Sequence, residues 1–271
     1  MKIRYNEDGY IIVKKLLSNE EVNKLVSSLE AEDSAVMAQS YEQDDGEGLK
    51  VRLSLWNQPG DDLTGMIIRS EKLVDTCTEL MGGEIYHYHS KLVMKDPHTG
   101  GAFQWHQDYG YWYLNGLLFP DMISVQMGVD RMDRENGCLQ VIKGSHRMGR
   151  IEHGRIGQQA GADLERVAEA QQVLETVYVE LDPGDALFFH CNLLHKSNAN
   201  HSPRRRWTMI SCYNSASNNP VKEHHHASYT PLNKVPNSAI MDCTNLNDIS
   251  GKWFNNPNKG PEYLPTKPRN Q

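Results

Sequence analysis

Gly83-Glu84-Ile85-Tyr86-His87-Tyr88-His89-Ser90-Lys91-Leu92-Val93 is the stretch at which this chain changes texture. Paired glycines close an apolar helical pattern. The residues that follow alternate as in a strand, with His87 and His89 on one face and Tyr86 and Tyr88 on the other. From there to about residue 215, short runs rich in Tyr, Val, Ile, Phe and Trp are separated by Gly, Pro, Asp and Asn, which is the pattern of a sandwich or barrel. Strands are expected at 85–93, 103–105, 123–129, 139–142, 177–181, 186–189 and 207–213.

Outward from that stretch the signals change. Upstream, Leu73, Val74, Cys77, Leu80 and Met81 recur at helical spacing, so a helix is expected over 71–81 with Gly82-Gly83 as its stop. Ser18 and Glu21 have capping-box spacing, and Val22, Leu25, Val26 and Leu29 extend a second apolar stripe. A short β-rich run, 10–13, precedes it. Downstream, 157–175 is rich in Ala, Gln and Glu and reads as a helix inserted between strands, a place from which a site is often covered. Beyond Pro220 the chain is crowded with Asn, Pro and Lys, so irregular structure wrapped on the surface is expected. His224-His225-His226 falls in that part; in an extended segment consecutive side chains point apart, and the run reads as a solvated polar stretch.

The 271 residues suit one large β domain over 1–271: a helical flank at about 15–82, a core at about 84–215 and a C-terminal wrap at about 216–271. An apolar fraction of 38%, a charged fraction of 23% and a mean hydropathy of -0.63 are those of a globular protein. The net charge of -7 gives no general attraction to nucleic acid, and Arg204-Arg205-Arg206 is the only dense basic run. No apolar stretch reaches the roughly 20 residues that span a bilayer, and the start has no apolar signal core, so a cytoplasmic location is expected. Five scattered cysteines without a Cys-x-x-Cys pair read as reduced, mostly buried thiols. The sequence carries no signal of oligomeric state.

The chemistry centres on Trp105-His106-Gln107-Asp108. In a strand, positions i and i+2 share a face, and an imidazole and a carboxylate there can grip one metal. A second element, Pro183-Gly184-Asp185, turns into an apolar run ending at His190 and is followed by His195-Lys196-Ser197, which can supply a third ligand. Two histidines and a carboxylate on one face of octahedral Fe(II) leave three positions for a bidentate 2-oxo acid and dioxygen. The far carboxylate of a 2-oxo diacid then needs a cation, and Arg206 has the geometry for bidentate pairing. Strand alternation puts Arg206, Thr208 and Ile210 on one face and Arg205, Trp207 and Met209 on the other.

With these elements in place the chain resembles the phytanoyl-CoA dioxygenase family of Fe(II)- and 2-oxoglutarate-dependent oxygenases. The resemblance rests on His106-Gln107-Asp108, His195-Lys196-Ser197 and Arg206 eleven residues after His195, with Glu135-Asn136-Gly137-Cys138-Leu139 and Gly144-Ser145-His146 between. It spans roughly residues 6 to 215. It implies a mainly β, double-stranded β-helix (jelly-roll, cupin-like) core with flanking α-helices. It also implies His106, Asp108 and His195 as metal ligands and catalytic residues, with Fe(II), 2-oxoglutarate and O2 as cofactor and co-substrates. His195 is preferred to His190 because Ser197 and Arg206 follow it at the family's spacing. Lys91, Ser124, Ser197 and Trp112 are implied contacts in the co-substrate pocket, and His146 the support of a turn. The carboxylate of Asp108 favours hydroxylation over halogenation.

The implied product is a hydroxylated C–H bond with release of succinate and CO2, and a small polar metabolite is favoured over a lipid thioester. The wording of 105–119 and 134–154 is similar to bacterial hydroxylases of small metabolites, including 2-aminoethylphosphonate hydroxylases. Arg131, Lys143, Arg150 and Arg155 are cations that could meet an anionic substrate. Two rivals stay open: a 2-oxoglutarate-binding module without turnover, and a cupin-type enzyme that needs no oxo acid.

Overall fold

A computed structural model describes residues 1–156 and 159–255. Its strands are β1 (Tyr10–Val13), β2 (Tyr41–Asp44), β3 (Lys50–Asn57), β4 (Ile85–Lys95), β5 (Phe103–His106), β6 (Met122–Gly128), β7 (Leu139–Ile142), β8 (His153–Ile156), β9 (Gln159–Ala162), β10 (Thr176–Val179), β11 (Ala186–His190), β12 (His195–Ser197), β13 (Arg206–Ser215) and β14 (Trp253–Phe254). The large sheet runs β1-β11-β6-β13-β4-β3-β14, with β2 also on β3. The small sheet runs β10-β7-β12-β5, and β8 and β9 form a separate hairpin. Every ladder is antiparallel. The result is the jelly roll of the cupin type, with helices outside.

The two sheets face each other through Leu139, Val141 and Val179 from one side and Leu187 and Phe189 from the other, all buried. The opposite face of the large sheet is covered by α2 (Asn19–Glu30), α4 (Leu63–Arg69) and α5 (Glu71–Met81). Capping decides where these helices begin and end. Ser18 Oγ accepts from Glu21 N at 3.2 Å while the Glu21 carboxylate accepts from Ser18 N at 2.7 Å, and α5 stops at Gly82 in the left-handed region, φ 83°. Leu25, Leu29, Leu73, Cys77 and Leu80 all enter the same apolar cluster, which places the sequence's two helical stripes on one sheet face.

The structure also departs from the sequence reading. Within 157–175, residues 159–162 form β9, and only Leu164–Val173 is helical (α7); residues 157 and 158 lie outside the described part. The helix α1 (Lys2–Asp8), the helix α4 and the strands β2, β3, β8, β12 and β14 were not signalled, being short or lacking clean periodicity. Residues 216–255 are largely irregular yet built in: Ile240 and Phe254 belong to the main core and β14 adds to the large sheet, while 256–271 of the expected wrap lie outside the described part. Four cysteines are buried thiols and Cys243 is half-buried. Among the described residues no helix is long and apolar enough to cross a membrane.

Candidate active site

A narrow cavity lies between the two sheets. At one end stand His106, Asp108 and His195, whose candidate ligand atoms all lie within 4.8 Å of one another. Pairing of β5 with β12 sets two of them face to face, since His106 and His195 are partners across the ladder and their ring centroids are 4.1 Å apart. Asp108 is not on the strand: β5 ends at His106, and Asp108 opens the short helix α6 (Asp108–Trp112). Expecting a shared strand face was therefore mistaken in its mechanism. The turn into α6 brings the carboxylate back, with Oδ1 at 3.9 Å from His106 Nε2 and 3.8 Å from His195 Nε2.

Gln107, between the two, is fully buried and explains why this turn holds. Its N–H donates to His153 Nε2 at 2.8 Å, its side-chain amide donates to Gly149 O and Asn192 O, and its carbonyl oxygen accepts from Ile151 N. His106 Nδ1 is bonded to Gln104 O at 2.7 Å and His195 Nδ1 to Leu193 O at 2.9 Å. A carbonyl only accepts, so each Nδ1 carries the proton and each Nε2 presents a lone pair to the site. Burial, reinforced for His106 by His195, pushes both imidazoles below their usual pKa and keeps them neutral. Burial raises Asp108, but His195, Lys91 and the Ser124 hydroxyl outweigh it and hold the carboxyl below its ordinary range. Two neutral imidazoles and one carboxylate, preoriented and dry, fit a divalent iron.

At the other end lies Arg206, 1% exposed, with Nε and Nη1 lacking any hydrogen-bond partner among the described residues. Burial pushes its pKa down to about 10. A buried guanidinium with unmet donors is costly unless an anion completes it. Arg206, Thr208 and Ile210 all line the cavity, as the alternation of β13 predicts, while Trp207 and Met209 enter the core on the opposite face. Arg205 stacks on Trp207 and pairs with Asp130, and Arg204 pairs with Asp133 and Glu135, so one of the three arginines faces inward.

The remaining candidates separate. Lys91 and Ser197 line the cavity. Ser124 donates to Asp108 Oδ2 at 2.6 Å and so orients the carboxylate without lining the cavity. Trp112 also lies off the cavity lining: α6 turns it into a cluster with Tyr88, Tyr109 and Leu117, against His89. His190 points away, toward Tyr5 and His146. Arg131, Lys143 and Arg150 do not face the cavity either; they pair with Asp182, Asp8 and Glu152. The Arg155 side chain lies outside the described part.

Sequence reasoning missed Lys95, Gln126 and Tyr111. Lys95 is fully buried beside Arg206, but its Nζ donates to Ser197 Oγ at 2.8 Å and Asn198 O at 2.5 Å, so of these two buried cations Arg206 is the one with open donors. No spacing in the sequence marked it. Gln126 lies two residues past Ser124 on β6, lines the cavity and has an unpaired Oε1. Tyr111 stacks on His106 at 6.0 Å. The three consecutive histidines were also misread: the chain bends at His225 and His226 instead of extending, and the rings gather 3.8–5.4 Å apart with His226 buried.

The family described as phytanoyl-CoA dioxygenase (PhyH) matches residues 5–208, three quarters of the chain and all four elements of the site. The chain belongs to the phytanoyl-CoA dioxygenase family. It is a non-haem iron- and 2-oxoglutarate-dependent dioxygenase, a hydroxylase by class, with O2 as the other co-substrate. Within the family it is similar to an L-proline trans-4-hydroxylase of Streptomyces griseoviridis, 30% identical over 81% of this chain and 87% of that protein. An ectoine dioxygenase of Bordetella parapertussis is 27% identical over 80% of this chain and 76% of its own length. The crystal structure of EctD from S. alaskensis with bound Fe shares the fold at a TM-score of 0.73, with 24% identity over 87% of this chain and 86% of that one.

Proposed function

We propose that His106, Asp108 and His195 hold the Fe(II), that Arg206 binds the distal carboxylate of 2-oxoglutarate, and that the reaction hydroxylates a C–H bond of a small polar metabolite. The observation that carries this reading is the orphaned guanidinium of Arg206 at one end of a buried cavity whose other end is the His-Asp-His cluster. Iron bound there supplies the redox chemistry that couples decarboxylation of 2-oxoglutarate to succinate and CO2 with transfer of one oxygen atom of O2 to the substrate. The chain's own residues bind and exclude. Arg206 gives the oxo acid a fixed end, Thr208, Val93 and Leu139 exclude water along its length, and Lys91 from the large sheet and Ser197 from the small one offer polar contacts. Ser124 holds the outer oxygen of Asp108, leaving Oδ1 toward the histidines.

A small substrate is favoured because the narrow space between the sheets must also receive the oxo acid, which leaves little for a lipid thioester. The similar proteins named for proline and ectoine support the same size and polarity. A protein named as a probable hypophosphite dioxygenase, 27% identical over 76% of this chain, keeps phosphorus compounds in view. An aminophosphonate such as 2-aminoethylphosphonate is therefore the first candidate, with amino acids and ectoine-like compounds next. The test is anaerobic titration with Fe(II) and 2-oxoglutarate, followed by O2 with each candidate while succinate is quantified. Substrate-stimulated succinate names the substrate class. Iron binding without any 2-oxoglutarate spectrum points to a cupin-type enzyme, and a spectrum with no succinate under every candidate points to a binding module.

A further inference from the structure

We propose that His224, His225 and His226 form a second metal site, distinct from the iron centre and suited to a borderline divalent ion of the zinc or nickel kind. Each residue offers a ring nitrogen, and those atoms lie within 4.8 Å of one another, the same closeness that groups His106, Asp108 and His195. Consecutive residues converge in this way only where the backbone bends, and it bends at His225 and His226.

The anchor of the site is His226, 8% exposed. The Asn57 amide donates from Nδ2 to His225 O at 2.6 Å, which fixes the amide's orientation and turns Oδ1 to His226 Nδ1 at 3.0 Å. Asn57 Oδ1 can only accept, so His226 carries its proton on Nδ1 and leaves Nε2 as a bare lone pair. This is the arrangement seen at His106 and His195, a ring oriented through one nitrogen for ligation through the other. His224 is half-buried and His225 exposed, so an ion has an open approach and solvent can fill the remaining positions. A second observation points the same way. His89, 3% exposed, stacks on His226 with centroids 4.7 Å apart, and its Nδ1 has no hydrogen-bond partner among the described residues. Imidazoles packed this closely repel one another if protonated, whereas an ion held by the three outer rings is compatible with all of them neutral. Imidazole ligands without carboxylates select against magnesium and calcium and for zinc, nickel or copper.

The consequence is mechanical. His226 rests on Tyr88 and His89 of β4, the strand that also carries Lys91 into the iron cavity. An ion there ties the segment after β13 to that wall.

The test uses the full chain without an affinity tag, stripped of metal and titrated with Zn2+ alone, with bound zinc counted after gel filtration. The wild type is expected to retain two equivalents, a His225→Ala variant one, and a His106→Ala/His195→Ala variant one. His225 is exposed, so its replacement leaves the fold intact; circular dichroism checks this for both variants. One equivalent in both wild type and His225→Ala overturns the proposal, as do two equivalents in both. If the iron-site variant fails to fold, the comparison of wild type with His225→Ala still decides.

Discussion

Arg206 and His106 do different work, and single substitutions separate them. Arg206 is buried with donors unmet until an anion arrives, and hydrogen bonds to charged groups contribute about 1.5–3 kcal/mol each. Arg206→Ala is therefore expected to leave iron bound and raise the 2-oxoglutarate requirement by roughly 10- to 100-fold, read from succinate formation against co-substrate concentration. His106→Ala removes a proposed ligand with a preset lone pair, so iron occupancy and activity should fall together. Equal iron content in wild type and His106→Ala would sink the ligand assignment. The meeting of His106, Asp108, His195 and Arg206 at one cavity was legible because the chemistry proposed for them demands particular side chains at particular spacings. Lys95, Gln126 and Gln107 were not, because a buried amide or ammonium carries no spacing rule, and its meaning comes from partners such as Asn198 O and Gly149 O that are distant in sequence. Trp112 shows the converse, since an aromatic near His106 packs wherever the helix turns it, here against Tyr88 and Tyr109.

Strand and helix geometry decides how those side chains meet. Alternation along β13 was read correctly because the strand is long and has neighbours on both sides, β4 and β6. Across β5 and α6 it failed, because a four-residue strand can end inside a motif. The turn at Asn136-Gly137 follows from its two residue types. Asn136 is fully buried, accepting from Asp133 N and donating to Arg131 O, and Gly137 sits at φ 75°. A Cβ at Gly137 would stand 2.2 Å from Asn198 O, immediately after β12. Gly137→Ala must strain the turn and push the strand that carries His195 and Ser197. Urea unfolding should show a loss of about 1–3 kcal/mol, with weakened iron affinity alongside. A loss of a few tenths, with iron affinity unchanged, would mean that the turn and β12 move independently.

The described fold is closed by its N-terminal helix and by the segment around Lys252, which is where sequence patterning said least. At the N-terminal end, His190 lies against Tyr5 of α1 and His146, and burial followed by His146 lowers its pKa to about 4. A lowered histidine stays neutral in the fold while the unfolded chain takes up a proton below about 6.5. Its contribution is therefore present above that value and lost as pH falls toward 4, with a slope of up to about 1.4 kcal/mol per pH unit. Urea midpoints from pH 7 to 4 should show that slope in wild type and a shallower one in His190→Asn. At the C-terminal end an irregular, polar composition conceals a buried ion pair. Lys252 and Asp62 have side chains 0% and 1% exposed and lie 2.8 Å apart, and Lys252 Nζ also donates to Thr64 Oγ1 and Pro59 O. Asp62 in turn caps α4 through Gly65 N, so one pair joins the C-terminal wrap, the α4 helix and, through Trp56 beneath Lys252, strand β3. Removing one partner leaves the other charge dry and unpaired, which typically costs about 3–5 kcal/mol. Lys252→Met, which keeps the apolar stem, is expected to lose that much in urea unfolding, and Asp62→Asn a comparable amount. Because each single change strands the same partner, the double variant should lose much less than the sum of the two. Additive losses would show that the ends are held by packing around Trp56 and Phe254 rather than by the charge pair.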